Sequence, residues 1–336
     1  MSLNGDSLLN VTDLAVTFAS HEGVVHAVDG VSFAIEQGET VGLVGESGCG
    51  KSISALAILG LVRMMSNSTI TGSVEFMGRD LLALPEHEVR SVRGRDMAMI
   101  FQDPVTSLNP VLSIERQVTE GIENHLGVSH SDAVKRSIEL LETVGIPRAA
   151  ERLHDYPHQF SGGMRQRVMI AIALSCNPKL LLADEPTTAL DVTIQAQILH
   201  LMRQLSRDYG AAIMLITHDL GVVAGMTERI LVMYAGRIVE SATAKELFGH
   251  PHHPYTVGLL RSVPRLDEPR KVTLQSIEGS PPDLAHLPRG CAFGARCVLR
   301  SEQCRLERPE LAPTTRGRLS ACFHSDRLVE TAAASR

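Results

Sequence analysis

An eight-residue stretch near the N-terminus has the pattern G-x-x-x-x-G-K-[ST], which is typical of loops that bind the phosphates of nucleotides. Its residues are Gly45, Glu46, Ser47, Gly48, Cys49, Gly50, Lys51 and Ser52. Backbone N–H groups can surround clustered phosphate charge only where no Cβ blocks the approach, and glycine also permits a positive φ. We expect the lysine to bind the β- and γ-phosphates and the serine hydroxyl to bind Mg²⁺.

The segments on either side of this loop predict a strand, a turn and a helix. Thr40–Val44 is a short apolar run that suits a buried parallel strand, and a helix over Ser52–Leu61 would point its N-terminus at the phosphates. Three earlier strands are predicted, with turns at Gly23 and at Asp29-Gly30; they are Leu8–Phe18, Val24–Val28 and Val31–Ile35. Phe18 is expected either to stack on an adenine ring or to pack in the core.

Polar residues follow three other apolar runs. Gln102 comes after Met97–Ile100, the pair Asp184-Glu185 ends a run that begins at Leu180, and His218 follows Ala212–Ile216. Ligands of open α/β sheets bind outside the carboxyl ends of the strands, so these side chains are candidates for one site. Asp184 suits contact with Mg²⁺, and Glu185 suits polarising a water for attack on the γ-phosphate. Gln102 suits contact with Mg²⁺ or that water, and His218 suits sensing the γ-phosphate.

Residues 105–160 predict a mainly helical insertion, with helices over Ile114–His125 and Ser131–Val144. The insertion is followed by Ser161, Gly162 and Gly163, which open a further apolar helix. The serine is typical of an N-cap, and exposed glycines at a helix start make a second place where an anion can bind. The chain therefore has two predicted phosphate-binding surfaces.

Composition narrows the class of protein. The chain has 336 residues, 44% of them hydrophobic and 21% charged, which is typical of a globular protein with more than one compact unit. No run is long enough to span a bilayer, and no basic-then-apolar signal precedes the first strand, so we expect a mature cytosolic N-terminus. The net charge of −6, without a dense block of Lys and Arg, argues against a nucleic-acid partner.

Four of the six cysteines crowd a short C-terminal segment, with gaps of five, six and seventeen residues between them. These are Cys291, Cys297, Cys304 and Cys322. In a reducing cytosol such a group indicates metal before disulfides. The gaps suit an iron–sulfur cluster better than zinc, whose ligands usually begin as closely spaced pairs, and labile free thiols are the third alternative. Nearby His250, His252 and His253 are expected to pack or to be solvated rather than to bind metal.

The order of these motifs resembles that of the ATP-binding cassette (ABC) family over roughly residues 8–250. The resemblance implies an α/β phosphate-loop NTPase fold with a RecA-like core, an N-terminal antiparallel β layer and a helical insertion. It also implies ATP and Mg²⁺ as cofactors and a head-to-tail pair of cassettes. In such a pair, the Ser161-Gly162-Gly163 helix of one cassette and the phosphate loop of the other enclose one nucleotide, with Asp191 beside them.

A narrower resemblance is to the ATPase subunits of oligopeptide/dipeptide-type importers. It rests on Phe101–Pro110, Tyr156–Met164, His253–Thr256 and the cysteine-bearing tail, and it extends to about residue 325. It implies a [4Fe–4S] cluster, a second paralogous ATPase, two membrane permeases and an extracytoplasmic solute-binding protein. It further implies a peripheral location at the cytoplasmic face of the inner membrane and import of di- or oligopeptides; nickel, glutathione, haem or sugar are alternative solutes.

This interpretation predicts a nucleotide-binding domain over residues 1–250 and a linker containing His253–Thr256 over 251–285. A small cysteine-rich C-terminal domain over 286–325 and a flexible tail over 326–336 are expected to follow. Two other functions compete with it. The first is an ABC ATPase of DNA repair or translation, but such proteins usually have paired cassettes or a nucleic-acid-binding insertion. The second is a non-enzymatic sensor, which would not need an intact Glu185 and His218.

Overall fold

The computed structural model describes residues 7–21, 23–187, 191–262, 277–314 and 318–328. Twelve strands and twelve α-helices are assigned within those ranges. The strands are β1 Leu9–Ser20, β2 Gly23–Ile35, β3 Thr40–Val44, β4 Ser68–Phe76, β5 Arg79–Asp80, β6 Met97–Ile100, β7 Leu180–Asp184, β8 Ala212–Thr217, β9 Arg229–Tyr234, β10 Arg237–Thr243, β11 Ala312–Pro313 and β12 Leu319–Ser320.

The helices are α1 Lys51–Ile58, α2 Glu86–Val92, α3 Pro104–Ser107, α4 Ile114–Leu126, α5 His130–Thr143, α6 Ala149–Arg152, α7 Gly162–Leu174, α8 Val192–Tyr209, α9 Leu220–Met226, α10 Ala244–Gly249, α11 Pro254–Arg261 and α12 Glu302–Leu306. Short 3₁₀ turns cover Leu61–Met64, Pro157–Gln159 and Gly294–Arg296. None of the helices in the described part of the chain is both long enough and apolar enough to cross a membrane.

Two sheets carry the fold. A four-stranded antiparallel sheet has the order β2-β1-β4-β5, and an eight-stranded mixed sheet has the order β11-β12-β10-β9-β3-β8-β7-β6. The run from β9 to β6 is parallel. The carboxyl ends of β3, β6, β7 and β8 therefore lie at one edge of the large sheet.

Neighbouring residues of the parallel strands face two different cores. Leu43 and Leu182 pack in a core shared with the N-terminal sheet and α1, whereas Val44 and Leu181 pack in a core shared with α4, α5 and α7. A strand covered on both faces must be apolar throughout, and this explains the unbroken apolar runs of β7 and β8.

The predicted antiparallel β layer, parallel core and helical insertion are present, and two local predictions are corrected. Residues Val24–Val28 and Val31–Ile35 belong to one continuous strand, β2, rather than two. Asp29 and Gly30 form a bulge opposite β1, because the register advances three residues on β2 while it advances two on β1. The positive φ of Gly30 (+76°) serves a bulge as readily as a turn.

The helix after the phosphate loop is shorter than predicted. It ends at Ile58, with Gly60 at φ +70° just beyond it, and a 3₁₀ turn follows instead of a continued helix. A glycine in the left-handed region ends a helix because it turns the chain away from the helical path at no steric cost.

The C-terminal segment joins the main sheet. Glu240 and Ser241 on β10 pair with Ser320 and Leu319 on β12. Within the stretch predicted as a linker, residues 254–261 form α11, and Tyr255 on it is fully buried. Residues 263–276 and 329–336, which include much of the predicted linker and most of the predicted tail, lie outside the described residues.

Candidate nucleotide site

The phosphate loop connects β3 to α1, and its three glycines meet different surroundings. A Cβ on Gly45 would lie 2.2 Å from the carbonyl oxygen of Met233, and one on Gly50 would lie 2.2 Å from that of Ala27. At Gly48, with φ +77°, a Cβ would meet nothing within 4 Å. Glycine is therefore required at Gly45 and Gly50 because the loop packs closely against neighbouring backbone there, whereas Gly48 lies where the loop faces open space.

Lys51 and Ser52 begin α1 beneath the loop. The Lys51 ammonium donates to the carbonyl oxygens of Gly45 (2.8 Å) and Glu46 (2.9 Å), and the residue is 5% exposed. These bonds hold the charge against the loop. Ser47 and Cys49 are further residues of the phosphate loop. Burial raises the pKa of the Cys49 thiol, which therefore stays protonated.

Asp184, at the end of β7, lies next to Ser52. Burial raises the pKa of its carboxyl group, while a hydrogen bond with the Ser52 side chain acts in the opposite direction. Its Oδ1 atom is buried and has no hydrogen-bond partner among the residues that the structure describes. Mg²⁺ prefers oxygen ligands, and a carboxylate oxygen without a partner beside a serine hydroxyl fits that preference.

Glu185, Gln102 and His218 form a connected group. Gln102 Nε2 donates to Glu185 Oε2 at 2.9 Å, and His218 Nδ1 lies 2.9 Å from Glu185 Oε1. The Glu185 side chain is 14% exposed and that of His218 is 60% exposed. The carboxylate is therefore held between two polar side chains at the protein surface, where water can reach it.

The backbone at Glu185 is strained. Its φ of +45° is uncommon for a residue with a Cβ, and its N–H donates to the carbonyl oxygen of Ile216 on β8 at 2.8 Å. This conformation costs about 1–3 kcal/mol and persists only where surrounding contacts enforce it, which is frequent at functional sites. It turns the side chain out of the sheet edge toward Gln102 and His218.

The Ser161-Gly162-Gly163 group forms a separate surface. The Ser161 side chain accepts from the N–H of Met164 at 3.3 Å, so the predicted N-cap is observed. A Cβ on Gly162 would meet nothing within 4 Å. Among the described residues, no hydrogen bond or ion pair links these three to the phosphate loop.

Phe18 and Asp191 lie outside the connected group. Phe18 is half-buried on β1, where it pairs with Val25 and Ser68 and packs on the core beneath the N-terminal sheet. Asp191 is exposed and caps α8, since its Oδ1 accepts from the N–H groups of Thr193 and Ile194, each at 3.0 Å.

The four C-terminal cysteines line one small cavity together with His253, Phe293 and His324. Backbone N–H groups donate to two of the sulfurs, from Leu299 to Cys297 and from His324 to Cys322, each at 3.4 Å. Burial raises the pKa of Cys322 to about 12. Burial also raises the pKa of the Cys291 and Cys297 thiols above the ordinary value. In the part of the chain that the structure describes, no three His, Cys, Asp or Glu side chains are arranged to hold a metal ion.

The histidines near β10 have structural contacts. His253 Nδ1 accepts from the N–H of Tyr255 at 3.1 Å and caps α11, and His252 Nδ1 lies 3.0 Å from the Thr314 hydroxyl. Sequence reasoning missed two residues that touch the phosphate loop, Tyr255 and Arg296. Both contact Glu46, from 209 and 250 residues further along the chain. No local pattern marks Arg296, and the His253–Thr256 segment that contains Tyr255 does not indicate a contact with the loop.

Comparison with known proteins agrees with this geometry. Residues 28–188 match the family described as ABC transporter, and residues 239–304 match the family described as oligopeptide/dipeptide transporter, C-terminal region. The oligopeptide transport ATP-binding protein OppD of Escherichia coli K12 is 52% identical over 95% of this chain and 93% of its own. The dipeptide transport ATP-binding protein DppD of Bacillus subtilis 168 is 51% identical over 89% of each.

Solved structures are similar over the cassette. A dimer of the cassette MJ0796 in a post-hydrolysis state, bound to ADP and phosphate, has a TM-score of 0.62 at 28% identity and covers 70% of this chain and 98% of its own. CbiO1 of Clostridium perfringens has a TM-score of 0.61 at 27% identity and covers 72% of this chain and 91% of its own. The fold, the connected nucleotide site and these relatives together establish that the chain belongs to the ABC transporter family of ATP-binding cassettes, whose general activity is ATP hydrolysis.

Proposed function

We propose that this chain is the ATP-hydrolysing subunit of a membrane importer of di- and oligopeptides. The observation that carries the proposal is the group formed by Glu185, Gln102 and His218 next to Asp184 and Ser52, in a chain that also has the C-terminal region of peptide transporters. The named activities of its relatives support peptide as the solute over nickel, glutathione, haem or sugar. A role in DNA repair or translation has no such support.

In this proposal each residue of the site has a defined role, and Gln102 has two. Lys51 and the loop N–H groups bind the β- and γ-phosphates, while Ser52, Asp184 and Gln102 hold Mg²⁺, which offsets phosphate charge when bound. Glu185 polarises the attacking water, and Gln102, which donates to it at 2.9 Å, orients its carboxylate. His218 contacts the γ-phosphate through the ring nitrogen that does not face Glu185. Phe18 stacks on the adenine from the N-terminal sheet.

The subunit is proposed to act in a head-to-tail pair with a second, paralogous ATPase. The open space in front of Gly162, and the lack of a hydrogen bond or ion pair between Ser161-Gly162-Gly163 and the phosphate loop among the described residues, support this, because each surface would then complete a site with the partner. Asp191, at the start of α8, is proposed to lie at the junction. The helical insertion over residues 105–160 would receive two permease subunits at the cytoplasmic face of the inner membrane, and an extracytoplasmic binding protein would deliver the peptide.

The C-terminal cysteines are proposed to hold a [4Fe–4S] cluster that stabilises the tail. The support is that all four thiols line one cavity and that backbone N–H groups donate to two of the sulfurs, so Cys291, Cys297, Cys304 and Cys322 would hold the cluster and the cluster would cross-link the tail. The division into a cassette over 1–250 and a cysteine-rich unit over 286–325 is part of the same proposal.

The function is tested by affinity purification of the chain from detergent-solubilised membranes, followed by transport measurements on the complex in liposomes. We expect two permeases and a second ATPase to co-purify, and ATP-dependent uptake of a labelled tripeptide in the presence of the binding protein. The matched control carries Glu185→Gln, which should assemble and not transport. Recovery of only soluble partners, or uptake of nickel or sugar but not peptide, would contradict the proposal.

The cluster is tested separately on protein prepared without oxygen. We expect about four irons per chain and a broad visible absorbance, both lost in Cys291→Ser. The control Cys176→Ser removes a buried thiol outside the segment and should retain both signals. Stoichiometric zinc, or protein free of metal and of visible absorbance, would refute the cluster and leave the ATPase proposal unaffected.

A further inference from the structure

Glu46, the second residue of the phosphate loop, is bound at each of its three polar groups by a different residue. Its N–H donates to the Tyr255 hydroxyl at 2.7 Å, and its carbonyl oxygen accepts from Lys51 Nζ at 2.9 Å. Its carboxylate accepts from both terminal nitrogens of Arg296, at 2.7 Å and 2.9 Å. Two of these partners come from the C-terminal segment, so residues far outside the motif help to fix the loop.

Arg296 is rigidly held. Its side chain is 4% exposed, and it also donates to the carbonyl oxygens of Ile277 (3.2 Å) and Glu278 (3.0 Å). Its guanidinium lies about 6 Å from the ring centres of Tyr234 and Phe293. A planar guanidinium that makes two parallel bonds to a carboxylate has little freedom to shift, and burial strengthens the attraction. A displacement of Arg296 must therefore displace Glu46.

Tyr255 is also held in place by buried contacts. Its ring is fully buried and packs on Tyr234, with centroids 4.5 Å apart. The buried carboxylate of Glu240 on β10 accepts from the N–H groups of His252 (2.6 Å) and His253 (2.9 Å) and so fixes the start of α11. Burial raises the pKa of the Tyr255 hydroxyl, which therefore remains a neutral acceptor for the loop N–H.

Arg296 lies between two of the clustered cysteines. It ends the 3₁₀ turn Gly294–Arg296, which begins where the N–H of Gly294 donates to the carbonyl oxygen of Cys291, and it is followed directly by Cys297. Phe293, which packs against both Tyr234 and Tyr255, directly precedes this turn. The arrangement of the cysteine-bearing segment thus determines where the guanidinium lies.

We propose that Arg296 and Tyr255 are positioning residues for ATP binding, which act on Lys51 through Glu46, and that the cysteine-bearing segment thereby sets the affinity of the phosphate loop for ATP. The inference relies on the loop as the ATP site. It does not depend on which solute is transported or on what the cysteines hold. The segment then has a task in the ATPase cycle beyond bracing the tail.

The first test measures ATP binding to the full-length chain by titration calorimetry. We expect Arg296→Gln to weaken the affinity about tenfold, and Arg296→Lys to have an intermediate effect because a lysine cannot make two parallel bonds. The control is Arg308→Gln, which removes the 2.8 Å ion pair between the same segment and Asp29 but touches no loop residue. It should bind ATP within about twofold of wild type.

Two further readouts separate positioning from general loosening of the structure. The losses of ATP affinity in Glu46→Gln and Arg296→Gln should not add. The double variant should have about the affinity of the single variant that binds ATP less tightly, because both changes break the same interaction. In the assembled complex, Arg296→Gln should raise the KM for ATP and leave kcat within about twofold, since Glu185 is not disturbed. Tyr255→Phe keeps the ring and removes the hydroxyl, and about a threefold loss of affinity is expected.

The outcomes that overturn the proposal are definite. ATP affinity within about twofold of wild type in both Arg296→Gln and Tyr255→Phe would refute it, as would an equal loss in Arg308→Gln. If Arg296→Gln does not fold, Glu46→Gln takes its place, because it breaks the same interaction from the side of the loop. Failure of peptide transport with these affinity differences intact would bear only on the proposed function, because the binding measurement uses neither permease nor peptide.

Discussion

Replacing Glu185 by glutamine tests whether this carboxylate polarises the attacking water. Glutamine has nearly the same shape and can keep both neighbours. Its amide oxygen can accept from Gln102 Nε2, and its amide nitrogen can donate to Nδ1 of a neutral His218; both atom pairs are 2.9 Å apart with the native residue. The substitution therefore removes the charge and the basicity while it preserves the packing.

The expected loss of hydrolysis rate follows from the role of Glu185 as a general base. A positioned general base contributes about 10²–10⁴-fold to the rate, so its loss raises the activation barrier by about 3–5 kcal/mol. The amide that replaces it cannot take a proton. Lys51, Ser52 and Asp184 are untouched, and we expect ATP affinity to change less than about threefold. The variant should accordingly accumulate as an ATP-bound closed pair.

The assay combines single-turnover hydrolysis of labelled ATP by the assembled complex with ATP binding to the isolated chain. Glu36→Gln changes an exposed carboxylate just before β3, at the amino ends of the parallel strands and so at the opposite edge of the sheet from the site; it is the matched control and should behave as wild type. A hydrolysis rate within about threefold of wild type in Glu185→Gln would refute the assignment of the base. Parallel loss of binding and turnover would show that the residue acts by holding the nucleotide.

Three further predictions concern the surrounding framework. Ser161→Ala removes the N-cap of α7 and should lower the free energy of unfolding by about 1 kcal/mol, measured by urea titration, without changing ATP binding to the isolated chain. Asp191→Ala should have a similar effect through α8, and weakened ATP binding by the isolated chain would contradict its placement as a cap. Burial acts to raise the pKa of Asp29, but the hydrogen bonds and charges of Arg237 and Arg308 hold it below its usual value. Since the folded-state pKa is the lower one, the stabilisation by the ionised carboxylate is present above the usual pKa of an aspartate and is lost as the pH falls through the folded-state value. Solvent screens this partly exposed group, so the free energies of unfolding of wild type and Asp29→Asn should differ by about 1 kcal/mol at neutral pH, and the difference should close at low pH. A difference that does not change with pH would contradict the ionic origin.

Much of the candidate site could be predicted because its signals are local. Asp184-Glu185, Gln102 and His218 each follow an apolar run, and parallel strands bring such positions to one sheet edge whatever the connecting chain does. The phosphate loop is recognisable for the same reason, since eight consecutive residues determine its backbone. The bulge at Asp29-Gly30 was not predicted, because glycine permits a positive φ in turns and bulges alike and only the partner strand decides between them.

The sequence by itself therefore determined the family of the chain, its ATP-binding motifs and the position of each motif at the end of a strand. Only the tertiary structure decided what holds the phosphate loop in place. The contact between Glu46 and Arg296 spans 250 residues, and that between Glu46 and Tyr255 spans 209. Neither residue has a spacing or a neighbour that indicates its partner, because a bond between distant segments depends on how α11 and the cysteine-bearing turn pack against the loop, and packing is a property of the whole fold.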